Sequence, residues 1–508
     1  MRRVHSQKAL SEKPWEQAQI DTTRDVQDPP DAPVPPRMSK AREVLFVMAI
    51  CASHFCIHAG IGQTIPILPA IGTTFGVANT SHLSWAISSY TMVIGAFVLV
   101  SERITSTFGQ KPAFILGLVI FAVWSAASGA SYYATQTLFI ICHAFQGLGA
   151  AFILPTGFAL LDSYYILERQ RSIVFIIYAA MAPVGLILGA VISSALAMGW
   201  WPLTFWVTSL TLAVLVILSC FVIPAAVQPR MVPSGTRAII AAFDIPGMLV
   251  GVSSLVLFGL AWNEAHVVGW QQQSLWIALI AACLLAVIFV IIERYYAARP
   301  IVPLSNLHTE VFWIMIVLAC AWASFGTWLF YTWRFAQSFR AASPLLSTAY
   351  FVPLAITGCL IIAGTVTLRD RLNLRVVLCA ALLLITIGTI LVASMPAKQT
   401  YWAQIFVSTL AVGCGLYATI PSVTHLLPEI AHHGHQSVST GLVTAIVYYS
   451  ISLGLGVAGT VERQVSNASL LPKSVFEGYR GALWLSVGIS GLGFVISFII
   501  PSLVDDGV

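Results

Sequence analysis

Beyond residue 43 the chain alternates between runs of about twenty apolar residues and short polar stretches, and within the runs there is no two-residue alternation of the kind barrel strands show. A helical run of that length crosses roughly 30 Å of hydrocarbon at about 1.5 Å per residue. Backbone groups in lipid must bond within their own segment or in a closed barrel, so the runs are expected to be membrane helices. The pattern predicts fourteen spans, the first seven at 44–68, 83–101, 112–132, 137–161, 173–198, 203–224 and 245–263. The other seven are 274–293, 311–333, 346–367, 374–395, 402–424, 437–458 and 482–503.

Composition excludes a soluble fold, since 58% of the 508 residues are hydrophobic and only 9% charged, against about a quarter charged in soluble domains. The tail 1–43 carries Pro29, Pro30, Pro33, Pro35 and Pro36 among many charges and reads as disordered rather than as a signal peptide. Residues 504–508 form a short second tail. All nine cysteines fall inside predicted spans and read as small buried apolar residues, not as disulfide partners or metal ligands. No cofactor is expected. Phe108-Gly109-Gln110-Lys111 lacks the rest of a phosphate loop, so ATP is not the expected energy source.

Charge gives the orientation. With the N-terminus cytoplasmic, 19 of the 25 Lys and Arg fall on the cytoplasmic side, as the positive-inside rule requires. The six on the other side are Arg334, Arg340, Lys398, Arg463, Lys473 and Arg480. The same orientation puts both glycosylation sequons, Asn79-Thr80-Ser81 and Asn467-Ala468-Ser469, in outer loops. Both termini are then cytoplasmic. The net charge of +5 reflects this sidedness and implies no nucleic-acid partner.

Fourteen spans suggest two six-helix halves, 44–224 and 311–503, with two helices, 245–293, inserted between them. Several motifs fall in order on these spans. Span 4 carries His143-Ala144-Phe145-Gln146-Gly147-Leu148-Gly149, and span 5 carries Ala182-Pro183-Val184-Gly185 followed by Gly189. Gly109 and Lys111 close the loop after span 2. Trp262-Asn263-Glu264 and Gly269-Trp270 lie around span 7, and Ser452-Leu453-Gly454-Leu455-Gly456 lies in span 13.

On these residues, positions 41–501 resemble the major facilitator superfamily, and within it the fourteen-span drug:proton antiporters, most of all fungal members of the aminotriazole-resistance type. His143 stands where the family's span 4 motif has Arg, Ala182 where its span 5 motif has Gly, and Ser106 and Glu102 where its cytoplasmic loop motif has Asp and Gly. The resemblance implies an all-α major facilitator fold, no enzymatic activity, and alternating-access export of drugs, toxins or secondary metabolites coupled to protons. It also places spans 1 and 4 on a central cavity.

Small residues let helices approach closely in lipid, which is the packing role expected of Gly147, Gly185 and Gly189, with Pro183 bending span 5. No span has a carboxylate near its middle, the nearest being Glu102, Asp162, Glu264 and Glu293 at span ends. The deep ionisable groups are instead His54 and His58, four apart on one face of span 1, and His143 in span 4. Depths counted from the span ends place His58 and His143 level with each other, and a shared polar pocket follows if both face the cavity. Imidazole changes charge near neutral pH, which suits a proton or substrate site built from His54, His58 and His143, with Gln63 and Gln146 adding polarity. Without the motif Arg and a central carboxylate, facilitated diffusion stays open.

The run Trp328 to Arg334 at the end of span 9 reads as an interfacial aromatic belt, or else as a stacking wall for cargo. His432, His433 and His435 read as a solvated loop, without metal-site spacing. A second transporter reading is a small ion or nutrient such as ammonium or borate. A third is a non-transporting sensor, disfavoured because the longest polar segment is the 43-residue tail. The expected partners are a small-molecule substrate, protons and the lipid bilayer, for a monomer in the plasma membrane.

Overall fold

Each apolar run is helical, the form in which a single segment satisfies its own backbone in hydrocarbon. The computed structural model describes residues 38–77, 80–165, 167–224, 244–297, 300–302, 309–368, 371–430, 436–467 and 469–505. Among them there is no strand, and fourteen helical segments are long and apolar enough to cross a membrane. Spans 1 to 7 are Lys40–Phe75, His82–Phe108, Gln110–Tyr133, Gln136–Tyr164, Arg169–Leu196, Pro202–Val222 and Ile245–Val268. Spans 8 to 14 are Gln273–Tyr296, Thr309–Arg340, Pro344–Thr367, Leu374–Ala393, Ile405–Leu427, Thr440–Val465 and Pro472–Phe498.

Several helices outrun their apolar stretches. Span 1 begins at Lys40, inside the segment read as a disordered tail, where Ser39 caps it by accepting from the Arg42 amide. Span 2 runs to Phe108 and span 13 to Val465, seven residues past their predicted ends. Hydropathy marks the length wetted by lipid, whereas a helix continues as long as its polar side chains find protein partners.

Hydrogen bonds between helix ends test the alternation of the crossings. At the end rich in Lys and Arg, Arg42 donates to the Val222 carbonyl (3.0 Å), Arg103 to that of Pro300 (2.7 Å) and the Tyr165 hydroxyl to Glu43 (2.9 Å). At the charge-poor end, Gln337 donates to the Pro66 carbonyl (2.8 Å), Arg480 to that of Ala393 (3.1 Å) and Trp201 to the Thr74 hydroxyl (2.9 Å). Each contact joins ends that fourteen alternating crossings put on the same side.

Packing within Ser39–Val508 repeats with an offset of eight spans. Span 1 packs on spans 5 and 6, span 2 on span 4, and span 3 on spans 4 and 6. In the same way span 9 packs on spans 13 and 14, span 10 on span 12, and span 11 on spans 12 and 14. The two sets meet along two related seams, span 2 against span 13 and span 5 against span 10. Spans 7 and 8 pack on each other, and span 7 also lies against spans 2 and 13. Together these are two six-helix bundles with two inserted helices.

Two local features set the close approaches. Pro155 inside span 4 has no N–H to give the Ala151 carbonyl one turn earlier, and the Ser101 hydroxyl of span 2 donates to that carbonyl instead, at 2.5 Å. Between spans 1 and 5, a Cβ at Gly185 would lie 2.5 Å from the Phe55 carbonyl oxygen, and one at Gly189 would lie 2.6 Å from the Ala59 Cα. Four of the nine cysteines, Cys51, Cys56, Cys142 and Cys320, are buried and all nine are free thiols. Cys220 and Cys283 are exposed on the helix surface, contrary to the expectation of burial.

Candidate functional site

A cavity lies between the two bundles. Its walls come from span 1 (His58, Ile61, Ile65), span 2 (Ile87), span 5 (Leu186), span 9 (Trp322, Phe325, Gly326, Leu329, Phe330) and span 13 (Tyr448, Ile451). About 30 Å³ is open to the centre of a water molecule, room for about two waters. Aromatic and aliphatic carbon dominates the walls, with one polar pair. The Tyr448 hydroxyl and His58 Nε2 stand 3.1 Å apart, and His58 Nδ1 is 3.2 Å from the His54 carbonyl. A carbonyl can only accept, so Nδ1 carries the proton and Nε2 of the neutral ring accepts from Tyr448. This bond joins the two bundles at the cavity wall.

Four of the five residues expected to bind substrate or proton stand outside this lining. The His54 ring is buried behind His58, 4.7 Å from that ring and 4.0 Å from Tyr178 of span 5. Gln63 accepts from the Thr208 hydroxyl of span 6 at 2.7 Å. His143 and Gln146 form a separate, fully enclosed cluster within the first bundle. His143 Nδ1 is 3.0 Å from Gln146 Oε1, and Nε2 is 3.4 Å from the Thr64 hydroxyl. Gln146 Nε2 donates to the Ser128 hydroxyl (2.5 Å) and the Trp124 carbonyl (3.3 Å), which fixes its oxygen toward His143. The ring stacks on Tyr90 and Phe139, with centroids 5.0 and 5.8 Å away.

The expectation of one pocket at one level for His58 and His143 therefore fails in both respects, since His143 meets span 1 at a different level and on a different face from His58. The span 1 residue that meets His143 is Thr64, six positions beyond His58, or about 9 Å farther along and roughly 120° around a helix. The His143 cluster can accommodate either protonation state. Thr64 gives its own proton to the Gly60 carbonyl (3.0 Å), so both ring nitrogens can donate, to Thr64 and Gln146, while a turned hydroxyl would suit the neutral ring. The stacked rings of Tyr90 and Phe139 also favour a cation between them.

The motif glycines are packing residues in the geometry. Gly147 faces the Tyr90 backbone, Gly185 faces Phe55 and the His58 Cβ (3.2 Å), and Gly189 faces Ala59. Pro183 lies at the seam between bundles, its Cβ 3.0 Å from where a Cβ at Gly358 of span 10 would sit. Gly109 adopts φ +98°, a backbone that L side chains rarely take, and so turns span 2 into span 3. Lys111 donates to the Cys220 and Ile223 carbonyls (2.8 and 2.7 Å), capping the end of span 6. Asn467 is exposed with φ +50° beyond span 13, whereas Asn79 and the histidines 432, 433 and 435 lie outside the described residues.

The aromatic run of span 9 is not an interfacial belt. Trp328, Tyr331 and Trp333 are fully buried, and each makes an internal hydrogen bond: Trp328 to the Ser408 hydroxyl, Trp333 to that of Ser347, and Tyr331 to the Glu462 carboxylate at 2.8 Å. Of the run, Leu329 and Phe330 reach the cavity. The sequence also missed Trp322 and Phe325, because an aromatic residue in an apolar run carries no signal of which way it faces. It missed Glu462 because hydropathy ended span 13 at 458, while the helix carries that carboxylate on into the protein interior.

A family model of the Major Facilitator Superfamily matches residues 50–457. The chain belongs to the major facilitator superfamily. Among its relatives, the low affinity ammonium transporter of Saccharomyces cerevisiae is 39% identical over 90% of this chain and 88% of its own. The efflux pump terJ of Aspergillus terreus is 35% identical over 90% and 88%, and the aminotriazole resistance protein of S. cerevisiae is 29% identical over 90% and 80%. The crystal structure of the peptide transporter POT in complex with sulfate superposes with a TM-score of 0.66 at 13% identity, covering 91% of this chain and 94% of that one. That likeness gives the fold. As a major facilitator protein the chain is a multi-pass membrane transporter, similar to fungal drug-resistance members.

Proposed function

We propose that the protein exports small amphipathic organic compounds by alternating access, its bundles 44–224 and 311–503 rocking around the cavity between them. The observation that carries this reading is the cavity wall: Trp322, Phe325, Phe330, Leu186 and Ile87 offer apolar and aromatic surface, and His58 with Tyr448 offers one donor–acceptor pair. Such a wall suits a cargo with a flat apolar body and one polar group. A drug-sized cargo needs a few hundred Å³, far more than the present opening, so binding requires the bundles to part. Relatives named as efflux pumps support the direction of transport. The Lys and Arg excess supports a cytoplasmic N-terminus and C-terminus, and the same reading takes the protein as a monomer in the plasma membrane. Proton coupling is supported by the His143 cluster, which can hold the ring in either charge state.

Ammonium is the second reading. It is favoured by the relative named as a low affinity ammonium transporter and by the small size of the cavity, whose aromatic faces and His58 would meet a compact cation. One experiment separates the two. Yeast cells lacking their own drug pumps and ammonium carriers, expressing this protein, are loaded with ethidium or supplied with radiolabelled methylammonium. The exporter reading expects ethidium efflux that Trp322→Ala lowers severalfold, with methylammonium flux unchanged. Methylammonium flux without ethidium efflux would replace it with the ammonium reading.

A further inference from the structure

At the charge-poor ends of spans 9 and 13 lies a polar group that neither the cavity nor the His143 cluster uses. Glu462 of span 13 is only 5% exposed and accepts from the Tyr331 hydroxyl of span 9. Arg334, three residues on from Tyr331 and therefore on the same face, is 8% exposed and lies within electrostatic reach of the carboxylate. Yet the two are not joined: among the described residues no Arg334 nitrogen comes within ion-pair distance of Glu462, and Arg334 Nε has no hydrogen-bond partner. Arg334 instead donates through Nη1 to Gln337 Oε1 (3.4 Å). That contact turns the other end of the Gln337 amide toward the Pro66 carbonyl, in the outer part of span 1, at 2.8 Å, and toward the Ser347 hydroxyl at 3.3 Å. A line of polar contacts thus runs from a buried carboxyl group in the second bundle to a hydrogen bond that ties the second bundle to the first.

The other charged and titratable groups nearby are occupied elsewhere. Arg463, next in sequence, donates to the His266 and Val267 carbonyls at the end of span 7, and the His266 ring, which packs beside Gly459 of span 13, has its Nε2 3.2 Å from the Ser84 hydroxyl of span 2. From span 14, Tyr479 packs against the Tyr331 ring, and Arg480 is turned to the Ala393 carbonyl and the Phe476 ring. Arg334 is therefore the cation that responds to the charge on Glu462.

We propose that Glu462 is a proton-binding site whose charge state works the tie between Gln337 and Pro66. Ionised, the carboxylate draws the Arg334 guanidinium to itself, because two opposite buried charges attract strongly at low dielectric. Arg334 then leaves Gln337, whose amide is no longer held toward Pro66, and the outer mouth loosens. A proton taken from outside water forms an O–H bond on Glu462 and cancels its charge. Arg334 returns to Gln337, and the mouth is tied shut as seen here. This deepens the alternating-access reading above and rests on its orientation: an exporter that takes up a proton from outside after releasing its cargo should close on that side.

The test uses the full-length protein in liposomes and needs no cargo. Ile65→Cys places a thiol on the cavity wall beside Pro66, and its labelling by a membrane-impermeant maleimide is read by mass spectrometry. At each pH the rate is taken relative to the same peptide in unfolded protein. With Glu462 intact, the relative rate should rise roughly fivefold or more from pH 5 to pH 8. Glu462→Gln, which imitates the protonated group, should label slowly at both pH values, and Gln337→Ala should label fast at both. A Glu462→Gln protein with the parent's pH dependence, or one that labels fast throughout, overturns the proposal, as does a parent whose mouth never labels. Should Glu462→Gln not fold, Gln337→Ala decides, since retained pH dependence there overturns the proposal equally. Ethidium efflux measured on the same proteins keeps the two readings apart. Efflux with unaltered labelling in Glu462→Gln rejects the proton site alone, whereas pH-gated labelling without efflux rejects the cargo alone.

Discussion

Replacing Gly185 with Ala adds a single methyl group to span 5, yet the structure places it where spans 1 and 5 are nearest. The new Cβ would sit 2.5 Å from the Phe55 carbonyl oxygen and 3.2 Å from the His58 Cβ. Ordinary contact begins near 3.4 Å, so the helices must part by about 1 Å, and overpacking of this kind typically costs about 1–3 kcal/mol. The Phe55 oxygen belongs to a helix backbone and cannot swing aside like a flexible side chain. Span 1 must therefore shift as a body, carrying His58 with it and stretching its 3.1 Å contact with Tyr448 past hydrogen-bond length. Gly488 in span 14 is the control, because a Cβ there meets nothing within 4 Å. Removing a helical glycine at such a position should be neutral or stabilise by up to about 1 kcal/mol. Thermal unfolding in detergent, followed by dye binding to newly exposed thiols, should show Gly185→Ala melting several degrees below the parent and Gly488→Ala at or above it. Efflux should fall only in the first. Equal melting temperatures for the two variants would refute the packing argument.

Three further outcomes are expected. Ser101→Ala removes the donor that serves the Ala151 carbonyl in place of Pro155; leaving that buried oxygen unpaired should cost about 1–3 kcal/mol in the same unfolding assay, and replacing Pro155 with Ala in the Ser101→Ala protein should recover part of it. Lys111→Ala uncaps the end of span 6 and should cost about 1 kcal/mol, while Lys111→Arg, whose guanidinium can still donate to the Cys220 and Ile223 carbonyls, should lose less than half of that. If Asn467 is modified, Asn467→Gln should abolish an electrophoretic shift removed by endoglycosidase; a shift that persists would have to come from elsewhere in the chain.

Hydropathy made the fourteen crossings legible because lipid imposes one length and one polarity on every span. The motifs on those spans were enough to identify the family. Hydropathy could not show the direction a side chain takes from its helix. His58 and His143 were expected level in one pocket, but one faces the cavity and the other, against Thr64 about 9 Å farther along span 1, is closed in by Tyr90, Phe139 and Gln146. Trp328 and Trp333 looked like residues at a water boundary, since nothing in the run Trp328 to Arg334 tells a ring at the lipid headgroups from a ring bonded to Ser408 or Ser347. Glu462 was hidden for a related reason. A carboxylate ends an apolar run on paper even when, in three dimensions, a tyrosine hydroxyl from another helix waits for it.

Because span 7, with span 8 packed on it, lies along the junction of spans 2 and 13, while among the described residues neither packs on the junction of spans 5 and 10, the molecule is lopsided to its surroundings. A greasy compound already dissolved in the leaflet meets a shielded flank on one side. On the other flank it meets the contact of spans 5 and 10 directly, where Pro183 packs closely against Gly358. Two otherwise matching halves thus acquire a front and a back.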